Sequence, residues 1–200
     1  FMQDSIRLKV FTGNIEHIEN LWTRRFVRRG LKGVDAYVAL SRRIAGELEA
    51  AGVASGRITM IPNGVDCDLF RPAASPEERL EARRRVDPEA APEDCVIVAV
   101  GRLAPQKGYE YLLEALGGLA GDEDGARARW RLWIAGGGDL RETLEAKARE
   151  AGIAGRVRFL GHVEDTPALL RGADLFAQSS LTEGLSSALL EAMAAGLAIA

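Results

Sequence analysis

Short, almost uninterrupted apolar runs alternate with amphipathic segments along the second half of the chain. The apolar runs occupy residues 95–100, 130–135, 157–160, 174–177 and 197–200, and the segments between them predict helices near 109–119, 139–151, 166–172 and 187–195. Continuous apolar runs of this length are typical of strands that are buried on both faces. The pattern predicts an α/β fold with a doubly wound, parallel, Rossmann-like sheet, in which ligands bind at the carboxyl ends of the strands.

The first half of the chain shows the same alternation in a shorter form, which predicts a partial second Rossmann-like lobe. Strands are predicted at 6–11, 35–40 and 57–61, with a helix at 42–51 that Ser41 caps. A further helix, from Ser75 to about residue 86, is charged nearly throughout, so we expect it to lie outside any core. The proline-bounded residues 88–92 resemble a linker.

Composition narrows the class of protein. With 200 residues, 47% of them hydrophobic, the chain can bury a substantial core. A net charge of -3 disfavours a nucleic-acid partner. Cys67 and Cys95 are far apart and belong to no Cys/His cluster, which disfavours a disulfide framework or a zinc site and fits a reducing cytosol. No apolar run approaches the roughly 20 residues that cross a bilayer. We therefore expect a soluble, cytoplasmic protein.

The first candidate site follows the strand at 95–100, where residues 101–108 read Gly-Arg-Leu-Ala-Pro-Gln-Lys-Gly. Gly101 lets the backbone approach a ligand, the following helix start carries partial positive charge, and Arg102 and Lys107 add two cations. A phosphate group is the natural ligand of this arrangement. The order matches neither a P-loop nor a dinucleotide fingerprint. A simple strand-to-helix turn with two solvated bases is the alternative.

The next two strands are also followed by candidate residues. Residues 136–138 are three glycines, which suit either a loop against a ligand or a tight turn, and Asp139 is placed to cap the helix that follows. His162 follows the strand at 157–160. It could act as a general base, although a lone loop histidine is more often a surface or backbone-contact position.

Two carboxylates mark the stretch at residues 179–196. Glu183 lies in a predicted loop, Ser186 or Ser187 can cap the next helix, and Glu191 falls about one turn inside that helix. Carboxylates accept hydrogen bonds from neighbouring hydroxyls, and the backbone N–H groups at a helix start can hold a phosphate. The pair could therefore bind one polyhydroxylated ligand. The alternative is two ordinary acids that the helix dipole favours.

Three other charged segments have plainer interpretations. Residues 122–124 and 66–68 both spell Asp-x-Asp, a metal-binding pattern, but we expect the first to be a solvated loop at the opposite sheet edge and the second to lie in a connection. Residues 21–32 interleave basic and apolar side chains, which suits contact with an anionic membrane surface or a solvated helix face.

Taken together, these motifs resemble the retaining GT-B glycosyltransferases of group 1, also called family 4, over residues 34–200. The landmarks are residues 39–41, 61–66, 70 and 72, 100–103 with 107–108, 134–138, 159–161, and the Glu-x7-Glu signature at 183–191. The resemblance implies that Arg102 and Lys107 bind a diphosphate, that Glu191 binds the nucleotide ribose and that Glu183 faces the donor sugar. It implies catalytic roles for Glu183, Arg102 and Lys107.

The resemblance also implies further donor contacts and a reaction. Donor contacts are expected at Gly101 and Gly136, from His162 and Val163 near the base, and from the amides of Gly184, Leu185, Ser186 and Ser187. The co-substrate would be a nucleoside-diphosphate sugar, with no cofactor and no metal. Gly184-Leu185-Ser186 replaces the family's common Gly-Phe-Gly, so the donor sugar stays open. The acceptor, a glycan, a lipid-linked glycan or a small molecule, also stays open.

The resemblance further divides the chain. Residues 1–65 would be the end of an acceptor-side lobe, 66–92 a connection and linker, and 93–200 a nucleotide-sugar-binding lobe truncated within its sheet. We therefore expect the isolated chain to bind donor weakly and to be inactive alone. Two alternatives remain: a nucleotide-sugar epimerase on the same fold, and a nucleotide-binding lobe without chemistry.

Overall fold

The computed structural model describes residues 8–11, 34–121, 128–183 and 185–200. The chain forms two compact units. The first comprises Phe1–Gly64 with Glu183–Ser186, and the second comprises Val65–Thr182 with Ser187–Ala200. Residues 66–92 therefore group with the second unit. The basic stretch at 21–32 and the acidic residues 122–124 lie outside the described residues.

The first unit contains a parallel sheet in the order β1-β2-β3, formed by β1 (Leu8–Phe11), β2 (Ala36–Ala39) and β3 (Ile58–Met60). Helix α1 (Arg42–Ala50) packs on this sheet through Ile44 and Leu48, which are fully buried. The predicted cap is confirmed, because the Ser41 hydroxyl accepts a hydrogen bond from the Ile44 N–H at 3.3 Å.

The described part of the second unit contains a five-stranded parallel sheet in the order β6-β5-β4-β7-β8. Its strands are β4 (Cys95–Val100), β5 (Trp130–Ala135), β6 (Val157–Gly161), β7 (Leu175–Phe176) and β8 (Ala198–Ile199). Its helices are α2 (Pro76–Val86), α3 (Tyr109–Gly121), α4 (Arg141–Glu150), α5 (Thr166–Arg171) and α6 (Ser187–Ala194). The chain builds outward from β4 to β6 and then returns to place β7 on the other side of β4. The sheet therefore has its topological switch point between β4 and β7.

Helices cover both faces of this sheet, which explains the uninterrupted apolar runs. One face of β4 carries Val96 and Val98, which pack in the same cluster as buried residues of α5 and α6. The opposite face carries Ile97 and Ala99, which pack with buried residues of α3 and α4. The predicted doubly wound architecture is confirmed.

The expectation that the helix at residues 76–86 lies outside any core is wrong. Arg83 in α2 is only 3% exposed. Its guanidinium donates to the carbonyl of Gly172 at 3.0 Å, to the carbonyl of Asp94 at 2.8 Å and to the Asp174 carboxylate at 2.7 Å. One charged side chain of this mostly exposed helix is buried because its guanidinium N–H groups meet acceptors.

The residues that follow α2 are also anchored to the sheet. Asp87 is fully buried and accepts hydrogen bonds from Arg131, Arg158 and Trp133. Burial acts to raise the pKa of Asp87, but the hydrogen bonds from Arg158 and Trp133 and the charge of Arg131 outweigh it and leave this pKa lowered. Ala90, within the proline-bounded segment, is buried in the core. The segment is thus packed on the second unit rather than extended from it.

Two further features of the described residues bear on the sequence predictions. Cys67 and Cys95 are not joined in a disulfide, as their spacing predicted, and both are exposed. Within the described ranges, each helix is too short or too polar to serve as a membrane span.

Candidate functional site

The loop after β4 carries the two predicted cations to the carboxyl edge of the sheet. The Gly101 N–H donates to the Ala135 carbonyl at 2.9 Å, so the loop leaves the sheet beside the end of β5. Arg102 is exposed and Lys107 is partly buried, at the end of a short 3-10 turn over Pro105–Lys107. Gly108 then adopts a left-handed conformation, with φ of 61°, and α3 begins at the next residue.

This loop is joined to the loop that follows β7. The Ser179 hydroxyl donates to the Lys107 carbonyl at 2.9 Å, and the Leu181 N–H donates to the Gln106 carbonyl at 2.9 Å. A Cβ placed on Gly108 would lie 2.2 Å from the Ser179 carbonyl oxygen, so only glycine permits this approach. Lys107 therefore sits at the switch point of the sheet, where doubly wound proteins bind their ligands.

The glycines after β5 hold that loop against the loop after β4. A Cβ on Gly136 would lie 1.9 Å from the Gly101 carbonyl oxygen, and one on Gly138 would lie 2.4 Å from the Leu103 carbonyl oxygen. The Leu103 N–H donates to the Gly137 carbonyl at 2.9 Å. Close contact between backbones thus accounts for the glycines at 136 and 138, while Gly137 is exposed.

The prediction that Asp139 caps the following helix is wrong. Helix α4 begins at Arg141 with Leu140 at its N-cap position, and no side chain caps it. The Leu140 N–H donates to the Leu103 carbonyl at 3.4 Å. Because Leu140 still bonds the loop after β5 to the loop after β4, α4 starts later than the sequence pattern suggested.

Glu191 lies in α6 as predicted, one turn after the helix start at Ser187. Its side chain is partly buried, and this burial raises the pKa of the carboxyl group. Ser186 directly precedes the helix. Glu191 and Ser187 belong to the second unit, together with Arg102 and Lys107.

The other residues of the signature belong to the first unit. Glu183, Leu185 and Ser186 are each partly buried and group with that unit. Gly184 lies outside the described residues.

The end of β6 presents the predicted base-side residues. Gly161 is left-handed, with φ of 69°, and its carbonyl accepts the Gly136 N–H at 2.6 Å. His162 is exposed, and Val163 packs partly against the core. Asp165 then caps α5 by accepting the Ala168 N–H at 2.9 Å.

Two polar residues at this edge were missed by the sequence analysis. Arg141, the first residue of α4, donates to the Phe159 carbonyl at 3.1 Å. Gln178 lies two residues after the end of β7, and its side-chain oxygen is buried with no partner among the described residues. The sequence offered only their positions as a clue, because each polar residue follows the carboxyl end of a strand.

The second Asp-x-Asp segment has a local structural role. The Asp66 carboxylate accepts the N–H groups of Asp68 at 3.0 Å and Leu69 at 3.1 Å, so it caps a turn. In the part of the chain that the structure describes, no three His, Cys, Asp or Glu side chains are grouped as metal ligands.

The sheet order and the loops at its switch point place the second unit among the doubly wound α/β proteins, a class that binds nucleotides at this position. Residues 82–200 match the family model described as glycosyl transferases group 1, and residues 8–69 match the model described as glycosyltransferase family 4. The chain belongs to the group 1 glycosyltransferases.

Named relatives agree with this assignment. The GDP-mannose-dependent alpha-(1-6)-phosphatidylinositol monomannoside mannosyltransferase of Mycobacterium tuberculosis is 35% identical over 185 residues, which cover 88% of this chain and 46% of the relative. The 2-deoxystreptamine glucosyltransferase of Streptomyces kanamyceticus is 31% identical over 199 residues, which cover 97% of this chain and 50% of the relative. The chain spans about half the length of these relatives.

Solved structures share the fold. The Anabaena protein Alr3699/HepE in complex with UDP-glucose superposes with a TM-score of 0.80 at 22% identity, over 96% of this chain and 52% of that protein. WaaG, a glycosyltransferase involved in lipopolysaccharide biosynthesis, superposes with a TM-score of 0.73 at 24% identity, over 84% of this chain and 44% of that protein. The expected GT-B architecture is therefore confirmed at the level of the fold.

Proposed function

We propose that this chain is the nucleotide-sugar-binding part of a retaining glycosyltransferase that moves a sugar from a nucleoside diphosphate to an acceptor. The observation that carries the proposal is the junction at the switch point, where the backbone of Lys107 is bonded to Ser179 of the loop after β7. This junction places a cation-bearing loop beside the chain that leads into α6. Family membership supplies the reaction class.

In this proposal, Arg102 and Lys107 bind the two phosphates of the donor. Both follow β4, and Lys107 stands two residues before the start of α3, whose amino end carries partial positive charge. Charge-assisted hydrogen bonds from these side chains stabilise the diphosphate as it leaves. Two full cations and a helix dipole make a metal unnecessary for this step, and no cofactor is needed.

The remaining donor contacts follow the order of the strands. Glu191 accepts hydrogen bonds from the ribose hydroxyls, Glu183 faces the donor sugar, and backbone groups at His162 and Val163 meet the base. The amides of residues 184–187 lie near the phosphate and sugar, and the glycines at 101 and 136 let the backbone approach. A carboxylate is suited to a ribose because it can accept from two neighbouring hydroxyls.

The reaction breaks the bond between the sugar's anomeric carbon and the diphosphate oxygen, and it forms a bond to an acceptor hydroxyl oxygen. We propose that the acceptor attacks from the face that the diphosphate leaves, so that the configuration is retained and the acceptor proton passes to the departing phosphate. The nucleoside diphosphate is the leaving group.

The comparisons support a nucleoside-diphosphate hexose as the donor class. The Mycobacterium relative is named for GDP-mannose, and the Anabaena structure contains UDP-glucose. These two donors share the diphosphate and a hexose and differ in the base. The acceptor stays open, as does the predicted membrane contact of residues 21–32. Two exposed free cysteines are consistent with the cytoplasmic location that we propose.

The proposal is tested by measuring sugar transfer and donor affinity in the complete gene product with UDP-, GDP- and ADP-hexoses. Lys107→Ala is expected to lower donor affinity about 10- to 100-fold, the size of a lost charge-assisted hydrogen bond. Arg84→Ala, which removes an exposed arginine of α2, is the matched control and should change affinity less than about twofold.

The alternatives give different outcomes in the same assay. If the protein is a transferase, the wild type makes an acceptor-linked product and the Glu191→Ala variant loses this transfer. An epimerase would change the donor sugar without an acceptor, and a non-catalytic lobe would show neither reaction. An unchanged donor affinity in both Lys107→Ala and Glu191→Ala would contradict the proposed site.

A further inference from the structure

Arg141 connects two loops at the carboxyl edge of the sheet. It is the first residue of α4 and lies three residues after Gly138, the last glycine of the loop that follows β5. Its Nη2 donates to the carbonyl of Phe159 in β6 at 3.1 Å, and its Nε donates to Glu145 Oε1 at 2.9 Å, one turn further along α4. The guanidinium is thus held at one end by its own helix and reaches the neighbouring strand at the other.

The strand that Arg141 contacts, β6, lies at one edge of the sheet that the described residues form, and it ends at Gly161. A Cβ on Gly161 would lie 3.6 Å from Arg141 Nη1, so the guanidinium lies against this glycine. On its other side, the Gly161 carbonyl accepts the Gly136 N–H at 2.6 Å. The end of β6 is therefore fixed from two directions at the point where the chain turns into His162.

The side chain of Arg141 is 47% exposed, and an exposed Arg–Glu pair stabilises a fold little. A fork that donates both to a carboxylate and to a backbone carbonyl does, however, fix geometry well, because the planar guanidinium loses little freedom for each bond it forms. The arrangement is better suited to setting the position of the β6 end than to holding the protein together.

We propose that Arg141 is a positioning residue for the nucleobase of the donor. It holds the end of β6 so that the backbone groups of His162 and Val163 keep a fixed position relative to the base. This inference rests on the proposed function, and it assigns base discrimination to a side chain outside the family signature. Glu145 orients the guanidinium for this task.

The two halves of the donor should respond differently. Arg102 and Lys107 follow β4, whereas Arg141 acts on the end of β6, two strands away in the sheet. Loss of Arg141 therefore weakens binding of the nucleoside half and spares binding of the diphosphate half. A residue that attracted phosphate by charge alone would affect both halves.

The test uses calorimetric titration of the complete gene product with UDP, GDP, ADP and inorganic pyrophosphate. Arg141→Ala is expected to weaken the best-bound nucleotide about tenfold, the effect of one lost charge-assisted hydrogen bond, and to reduce the preference among the three bases. Pyrophosphate affinity should stay within about twofold, because the charge of an exposed arginine is largely screened. Arg149→Ala, an exposed arginine of the same helix, is the matched control and should change neither.

A second variant keeps the test decisive if Arg141→Ala folds poorly. Arg141→Lys preserves the charge but cannot donate to Phe159 and Glu145 through one planar fork, so its base preference should also fall while its pyrophosphate affinity is kept. An equal loss for pyrophosphate, or an unchanged base preference in both variants, overturns the inference. Absence of nucleotide binding by the wild type overturns the proposed function itself, which separates the two failures.

Discussion

At the scale of single residues, glycine is the clearest link between sequence and structure. The pattern of residues 101–108 predicted that glycine lets the backbone after β4 approach a ligand, whereas the close approach at Gly108 in the structure is to another segment of the backbone. It could not reveal that Gly108 meets the Ser179 carbonyl, because that partner lies 71 positions along the chain from it. Contact across such a separation depends on how the strands are ordered, which no local pattern contains.

Gly108→Ala should lower the free energy of unfolding by about 2 to 4 kcal/mol, since the new Cβ both meets a backbone oxygen and must adopt a left-handed conformation. Gly118→Ala on α3 is the matched control. The space around Gly118 is open, so alanine should stabilise the helix by up to about 1 kcal/mol. Urea denaturation measures both, and a Gly108→Ala protein as stable as the wild type would refute the proposed junction.

Glu191 gives the residue-scale prediction on pH. Burial raises the pKa of its carboxyl group, so the folded protein favours the protonated form. The resulting stabilisation is present below the pKa of the unfolded chain and is lost as the pH rises through the raised pKa. Glu191→Gln, which stays neutral, should therefore melt at a higher temperature than the wild type at pH 7, with the difference closing near pH 4. A lower melting temperature for the variant at pH 7 would show that the charged form is stabilised instead.

At the scale of elements, the positions of strands and helices followed from the period of the apolar pattern, and β4 and β5 begin and end at the predicted residues. The surroundings of a helix were harder to predict. Arg83, Arg84 and Arg85 are consecutive in α2, yet only Arg83 is buried. Side chains of one type carry no periodic signal, so sequence alone could not show which arginine faces inward.

Arg83→Ala should cost about 3 to 5 kcal/mol of stability, because it leaves the buried acceptors at Gly172, Asp94 and Asp174 without their donor. Arg84→Ala removes the same side chain from an exposed position and should stay within about 0.5 kcal/mol of the wild type. Chemical denaturation compares the pair directly. Equal effects of the two substitutions would mean that α2 is not anchored through Arg83.

At the scale of the whole molecule, the topology explains why the family motifs are dispersed along the sequence. The loops after β4 and β7 are far apart in the chain, but the return of the chain at the switch point makes them neighbours. The sequence could predict this proximity only through the doubly wound pattern. The placement of Glu183 with the first unit, and of Glu191 with the second, was not apparent from their spacing of eight residues.

A crystal structure of the complete gene product with its best-bound nucleoside diphosphate would show where the diphosphate of the donor binds. We predict that the diphosphate lies between Arg102 and Lys107, with the ribose hydroxyls on the Glu191 carboxylate. A nucleotide bound elsewhere, or these three side chains directed to different faces of the protein, would contradict the account.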